Sequence, residues 1–336
     1  MNTDQLLLAH RSFNALLKEL ALGMNLHALN KAIIHLAEEL FDDRLASILK
    51  LDEVNKTLHC VSAPNLPSFY NKAIEGVEIG ENVGSCGAAA YLKTAVIVED
   101  INTHPNWSPY TELTQQANLH ACWSMPILSS AEKVLGTFAI YSSKPSVPGE
   151  FELEVLEMAA SIYAVALEKF DYEQQLYQTA NYDSLTNTLN RNAFINKTNQ
   201  LIATKKHSDQ ILALFFIDID KFKLCNDNYG HAFGDLVLSH TSNCLRALSR
   251  ESDLLGRFGG DEFILVCSVH NHNEALKVYK RLENYLTESL YVENKKITAS
   301  IGVASCAFSE IITIESLIEK ADKKMYQHKG RQQETF

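Results

Sequence analysis

Apolar residues change their period several times along this 336-residue chain, and each change predicts an element. Phe13, Leu16 and Leu20, then Leu29, Ile33, Leu36 and Leu40 beyond Gly23, recur three and four residues apart, the spacing of one helix face. "RLASILKLD" and "KTLHCVS" flank the turn-like "EVN" and predict a hairpin. "TAVIVED" predicts a short strand, and "CWSMPILSSAEKVLGTFAIYS" two strands around a polar turn. Loops rich in Gly, Asn and Pro separate them, notably "ENVGSCGAAA" and "INTHPNWSPY".

From about 150 to 182 the pattern becomes a heptad seam: Leu153, Leu156, Ala160, Tyr163, Leu167, Phe170, Gln174 and Tyr177 alternate spacings of three and four. Two readings fit, a dimeric coiled coil joining two domains and a last helix packed on its own sheet, and the first half of the seam suits the second reading. Beyond it, "NYDSLTNTLNRNAFINKTNQLI" predicts a turn leading into a helix. Then come "QILALFFIDID" (strand), "GDLVLSHTSNCLRALSR" (helix), "LLGRF" with "FILVCSV" (paired strands), "NEALKVYKRLENYLTESL" (helix), "KKITASIGVAS" (strand) and "TIESLIEKADKKMYQHKG" (helix). The expected fold is α+β, with residues 1–150, a connecting helix over 151–182, and a sheet covered by helices over 183–336.

Composition narrows the class. With 46% hydrophobic and 21% charged residues the chain can bury cores. No apolar stretch is long enough for a membrane helix and the first residues lack the order of a signal peptide, so a soluble, cytoplasmic protein is expected. Its net charge of −11 divides unevenly: residues 1–170 carry 11 Lys/Arg and 20 Asp/Glu, residues 171–336 carry 19 and 21. Neither half has the basic field that general nucleic-acid binding requires. The seven cysteines form no C-x-x-C pair and are expected to be reduced.

"RFGGDEFILV", residues 257–266, breaks a strand pattern with two glycines and two acids. Gly259 and Gly260 are expected to supply the positive φ of a tight turn, with Asp261 and Glu262 at its tip. By itself this is an ordinary surface hairpin. A second acidic group, Asp218 and Asp220 in "FFIDIDKF", ends a buried-looking strand, and grouped carboxylates of this kind hold Mg²⁺ against phosphates. Downstream, "KFKLCNDNYGHAFGD" supplies Lys223 for a phosphate, and Asn226 with Asp235 for a guanine edge.

Together these stretches resemble the GGDEF-domain diguanylate cyclases, which join two GTP molecules into cyclic di-GMP and release pyrophosphate. The likeness runs from about Asp183 to Lys329 through "DSLT" with "NR", "FFIDIDKFKLCNDNYGHAFGD", "RESDLLGRFGGDEF", "ASIGVA" and "ADKKMY". It implies a palm-like nucleotidyl cyclase fold, a mixed sheet covered by helices. It implies that Mg²⁺, with Mn²⁺ as the alternative, is bound by Asp218, the Ile219 carbonyl, Asp261 and Glu262. Asp261 would be the base for the 3′-hydroxyl and Lys223 the phosphate-side stabiliser, while Asn226, Asp235 and the nearby His231 would hold guanine. Lys329 would grip phosphate. Two half-sites must meet, so a homodimer follows, brought together by the heptad helix. Arg250 and Asp253 in "RESD" stand where the family carries its R-x-x-D site for inhibition by its own product; the plainer reading is a surface ion pair.

Two departures stand out. "DSLTNTLNR" has Asn187 and Thr188 where the family has Gly and Leu, and Asn tolerates a left-handed turn. In "YQHKGRQQETF", Lys329 keeps its place after Tyr326 but Arg331 comes two residues early, so no phosphate role carries over to it.

Residues from about 20 to 165 resemble a GAF domain, on "GENVGSCGAAAYLKTAVIVEDINTHPNW" and "CWSMPILSSAEKVLGTFAIY". That implies an antiparallel sheet with flanking helices and a sensory role for a small molecule or other signal that the sequence does not identify. His120 is read as a packing or hydrogen-bonding residue rather than a haem ligand, and Cys86 as small-residue packing rather than a chromophore anchor. Trp107 and Trp123 are expected in core or pocket wall. The expected function is a GAF-regulated cyclase. The rival is a non-catalytic receptor for GTP or cyclic di-GMP; an enzymatic first half finds no clustered acid, base or nucleophile.

Overall fold

Strand alternation decides what each face of both sheets carries, and the elements follow in chain order. The computed structural model describes residues 3–41, 44–310 and 313–333 and divides into two units, Met1–Glu173 and Gln174–Phe336.

In the first unit, α1 (Thr3–Ala21) and α2 (Leu26–Leu40) part at Gly23, whose φ of 104° favours glycine. Asn25 caps α2 by accepting from the Ala28 N–H. The expected hairpin forms from β1 (Leu45–Asp52) and β2 (Thr57–Ser62), and the Asp52 carboxylate accepts the N–H groups of Val54 and Asn55 in its turn. There follow α3 (Ser68–Ala73), β3 (Val77–Glu78), α4 (Cys86–Leu92), β4 (Val96–Val98), a 3₁₀ turn (Pro105–Tyr110) and α5 (Thr111–Gln116). Then β5 (Ala121–Leu128) and β6 (Val134–Ser142) complete an antiparallel sheet of order β3-β2-β1-β6-β5-β4.

Each face of this sheet has its own core. Ala46, Ile48, Phe138 and Ile140 pack with α1, α2 and the long α6 (Glu150–Asn181), whose Leu156, Ala160 and Tyr163 are buried there. Leu49, Cys122, Ala139 and Tyr141 pack on the other face with Tyr70, Cys86 and Trp107. The first part of the heptad seam therefore covers its own sheet. Residues 171–180, Gln174 and Tyr177 among them, are exposed.

The second unit opens with α7 (Arg191–Lys205), capped by Asn190, which accepts from the Ala193 N–H. Next come β7 (Ile211–Ile219), α8 (Phe222–Tyr229), α9 (His231–Leu248), β8 (Leu254–Arg257), β9 (Glu262–Val269) and α10 (His272–Ser289). The small hairpin β10 (Tyr291–Val292) and β11 (Lys295–Lys296), β12 (Ala299–Ala307), a 3₁₀ turn (Phe308–Glu310) and α11 (Ile314–Gln333) end it. The main sheet has order β12-β7-β9-β8 with antiparallel neighbours throughout, and an isolated parallel bridge joins Leu189, outside these strands, to Gly256.

All nine residues of β7 are buried because both faces are covered. Ala213, Phe215 and Ile217 join Val237 of α9 and Leu282 of α10, while Leu212, Leu214 and Phe216 join Phe194 of α7 and Ala321 and Met325 of α11. Gly302 of β12 lets α11 lie close, since a Cβ there would collide with the backbone of Ala321 and Met325. We expect Gly302→Ala to cost about 3 kcal/mol, the upper end for overpacking, read as a lower urea midpoint with unchanged slope.

Candidate active site

Alternation along β7 puts the residue after Phe216 on the same face, Asp218, onto the α11 side of the sheet, where it is 8% exposed. Its cross-strand partners are Glu262 on β9 and Ser300 on β12. Just past the strand, Asp220 accepts from the Ser300 hydroxyl at 2.7 Å through Oδ1, while its buried Oδ2 has no hydrogen-bond partner. The Ile219 N–H donates to the Asp261 carbonyl at 3.2 Å, tying the strand end to the hairpin. From α11, the Lys329 ammonium donates to Asp218 Oδ1.

Asp218, Asp220 and Asp261 thus stand near the Lys329 ammonium with Glu262 beside Asp218, and the acidities of Asp218 and Glu262 are shifted. Burial raises the Asp218 carboxyl, Asp261 and Asp220 add to the rise, and Lys329 opposes it. Glu262 is likewise raised by burial and then by Asp218, Asp261 and Asp322. Lys329 is raised by its carboxylate neighbours despite partial burial, which acts the other way. The donors are hard oxygens, the chemistry that suits Mg²⁺ or Mn²⁺, and the unpartnered Asp220 oxygen adds one more. Among the described residues no three acidic, His or Cys side chains converge tightly enough to enclose an ion.

The turn between β8 and β9 corrects one expectation. Neither Gly259 nor Gly260 has a positive φ. The Phe258 N–H donates to the Glu262 carbonyl at 2.8 Å, closing a wider loop, and the Glu262 carboxylate folds back over Gly259, where a Cβ would strike it. A side chain at 259 would therefore displace the Glu262 carboxylate, so the glycine bears on where that carboxylate lies rather than on backbone handedness.

A clamp that the motifs did not reveal holds this loop. Arg257 donates from Nη1 to both Asp183 oxygens at 3.1 and 3.2 Å, and from Nη2 and Nε to the Gly260 carbonyl at 2.7 and 3.2 Å. Asp183 also accepts from the N–H and hydroxyl of Thr186. Partial burial would raise this carboxyl, but Thr186 and Arg257 together hold it below its ordinary value. Asn187 takes the left-handed turn expected of it, with φ 51°. The Arg191 guanidinium lies 4.3 Å above the Phe258 ring.

On the α8–α9 side, Gly230 turns the chain with φ 84°. Half-buried Asn226 presses against Gly234, where a Cβ would overlap its Oδ1, and that oxygen has no partner. Lys223, His231 and Asp235 are exposed on the same two helices. Arg250 and Asp253 form a turn: Asp253 Oδ2 accepts the Arg250 N–H at 2.8 Å, and the Asp253 N–H donates to the Arg250 carbonyl at 3.0 Å. Among the described residues the pair makes no side-chain ion pair, and it borders a cavity of about 360 Å³ with Lys197 and Arg246. The Arg331 side chain lies outside the described residues.

In the first unit, His120 Nδ1 is 3.1 Å from Asn102 Nδ2, a hydrogen-bonding residue as expected. Trp123 is core, under the Arg44 guanidinium at 4.2 Å, and Trp107 walls a small cavity beside Cys86.

Comparison with known proteins identifies two domains in the chain. Residues 180–335 match the family profile described as diguanylate cyclase, GGDEF domain, and residues 23–168 match that of the GAF domain. A GAF domain over residues 23–168 thus precedes a GGDEF domain over residues 180–335. Diguanylate cyclase A of Treponema denticola is 32% identical over 195 residues, 56% of this chain and 51% of that protein. Diguanylate cyclase DgcP of Escherichia coli is 30% identical over 223 residues, 63% of this chain and 65% of that protein. The chain thus spans half to two thirds of these relatives. A crystal structure of a sensory box/GGDEF family protein from Caulobacter crescentus is 30% identical, covering 45% of this chain and 99% of that one, with a TM-score of 0.42. No helix among the described residues is long and apolar enough to cross a membrane.

The raised Glu262 carboxyl has a consequence for stability. The folded state holds this proton more tightly than the unfolded one, so stability falls as pH rises from the ordinary Glu range through the raised value. Above that range the whole penalty remains. Glu262→Gln should therefore raise the unfolding temperature of the second unit by about 2 °C near neutral pH, and the gain should vanish below about pH 4 in calorimetry.

Proposed function

We propose that the chain is a diguanylate cyclase that condenses two GTP into cyclic di-GMP and two pyrophosphates, acting as a homodimer under the control of its GAF domain. The observation that carries this reading is the row of carboxylates on adjoining strand ends, Asp218, Asp220 and Glu262, with Asp261 joined to Ile219 through the backbone. The unpartnered Asn226 Oδ1 on α8, the helix that follows β7, supports a nucleobase site.

Asp218, the Ile219 carbonyl, Asp261 and Glu262 would hold Mg²⁺ or Mn²⁺. When bound, that ion supplies positive charge against the triphosphate and lowers the pKa of the attacking hydroxyl. Asp261 accepts the 3′-hydroxyl proton. Lys223 and Lys329 neutralise phosphate oxygens, so Lys329 must exchange Asp218 for its substrate. Asp235 accepts from the N–H groups of the guanine edge, to which Asn226 presents its amide, with His231 at the rim. The second unit of each protomer holds one GTP, so attack of one 3′-oxygen on the other α-phosphorus needs the second units of two protomers face to face. Exposed Tyr172, Leu176 and Tyr177 in the outer part of α6 support pairing of that helix with its twin. Arg250 and Asp253, at the edge of their cavity, would bind the product and slow the enzyme.

The first test incubates the purified full chain with GTP and Mg²⁺ and follows cyclic di-GMP by chromatography. The wild type should form product, and Asp261→Ala should form none while keeping its fold. A folded dimer that binds GTP yet makes no product would favour the receptor reading. Gly234→Ala, by displacing Asn226, should raise the KM for GTP about tenfold, the scale of one lost hydrogen bond, with kcat little changed.

A further inference from the structure

Two thiols of the first unit meet inside the sheet face that carries the small cavity. Cys86 opens α4 and Cys122 lies on β5, both buried and both free, in one core cluster and with side chains that neighbour each other. The Tyr141 hydroxyl, on the strand beside Cys122, is 3.8 Å from the Cys86 sulfur. The hydroxyls of Ser124 and Thr137, both fully buried on the same two strands as Cys122 and Tyr141, have no hydrogen-bond partner. A core that only needed filling would place alanine or valine there, since an unpaired buried hydroxyl is unfavourable. The Ser85 hydroxyl, fixed by the Trp107 N–H, binds the Cys122 carbonyl and brings the start of α4 against β5.

We propose that Cys86 and Cys122 are an oxidisable dithiol, converted to a disulfide by a peroxide that enters the cavity beside them. The cavity, of about 30 Å³, is lined by Cys86, Tyr70, Trp107 and Tyr141. A water needs about 10–15 Å³ by this measure, so a molecule the size of hydrogen peroxide fits, whereas organic cofactors occupy pockets of about 300 Å³ or more. The roles divide by environment: the neighbouring thiol and hydroxyls hold the Cys86 thiol below the ordinary range against burial, and burial pushes Cys122 well up.

The chemistry balances with peroxide as the only oxidant. The Cys86 thiolate attacks one peroxide oxygen, the O–O bond breaks, and hydroxide leaves to become water with the Cys86 proton, giving a sulfenic acid. Cys122 then attacks that sulfur, the S–S bond forms, the S–O bond breaks, and the departing hydroxide takes the Cys122 proton as a second water. The two thiols lose two electrons and the peroxide gains them.

This site belongs to the first unit and stands whether or not the second unit makes cyclic di-GMP. The test treats the full chain with equimolar hydrogen peroxide, unfolds it, counts free thiols and digests it with trypsin. Cys86 and Cys122 fall in separate tryptic peptides, 73–93 and 94–133, each with no other cysteine. The thiol count should fall from seven to five, those two peptides should appear joined, and dithiothreitol should restore both. Cys122→Ser should leave Cys86 as a sulfenic acid trapped by dimedone. If that variant does not fold, the wild-type peptides decide alone. Seven surviving thiols, or oxidation directed to Cys60 or another cysteine instead, would overturn the proposal.

Discussion

Everything at the candidate active site depends on like charges being kept close by β-sheet register. Asp218 pairs with Glu262 because β7 and β9 are antiparallel in one register, and the alternation of β7 sends Asp218 to the α11 face. A slip of one residue would turn Asp218 toward the apolar core shared with α9 and α10, and Ile217 or Ile219 toward the lysine. The buried length of β7 fixes that register, since each of its residues has a hydrophobic environment to lose. The repulsion among the carboxylates is thus held in place by the most apolar strand of the unit.

The stabilising devices around this repulsion come from distant parts of the chain. Ile219 and Asp261 share a backbone bond, Arg257 joins Asp183 to the Gly260 carbonyl, and Arg191 covers Phe258. Each holds the β8–β9 loop by a different element, so its geometry does not rely on the turn's own conformational preference. A loop anchored in this way can present carboxylates that would otherwise move apart. Lys329 supplies the local countercharge.

Much of this was legible in the sequence. Periodicity yields the order of the elements, and the acidic motifs identify the strand ends on which the site is built. The clamp was not, because Arg257 and Asp183 lie 74 residues apart and Arg257 reads as an ordinary strand residue before the glycines. The glycine pair misled because Gly-Gly signals a tight hairpin turn with positive φ, whereas here neither glycine has positive φ and only Gly259 lies against a side chain, that of Glu262. Gly302 and Gly234 are silent in the same way, since the helix and the side chain they accommodate are invisible to local pattern. The seam of α6 was ambiguous because burial on its own sheet and pairing with a twin ask for the same spacing; the structure resolves this for its first part.

Asn190 has a consequence for chain length. Its N–H and side-chain amide donate to the carbonyls of Asn181 and Ala180 at the end of α6, while its side-chain oxygen caps α7. One residue thereby terminates one helix and begins the next. The junction has no slack, and an insertion within α6 is not absorbed there as it would be in a loose linker. Each added residue turns the helix end by about 100°, and about seven must be added before the phase returns. Among chains built on this plan, the length of α6 should therefore vary in steps of whole heptads.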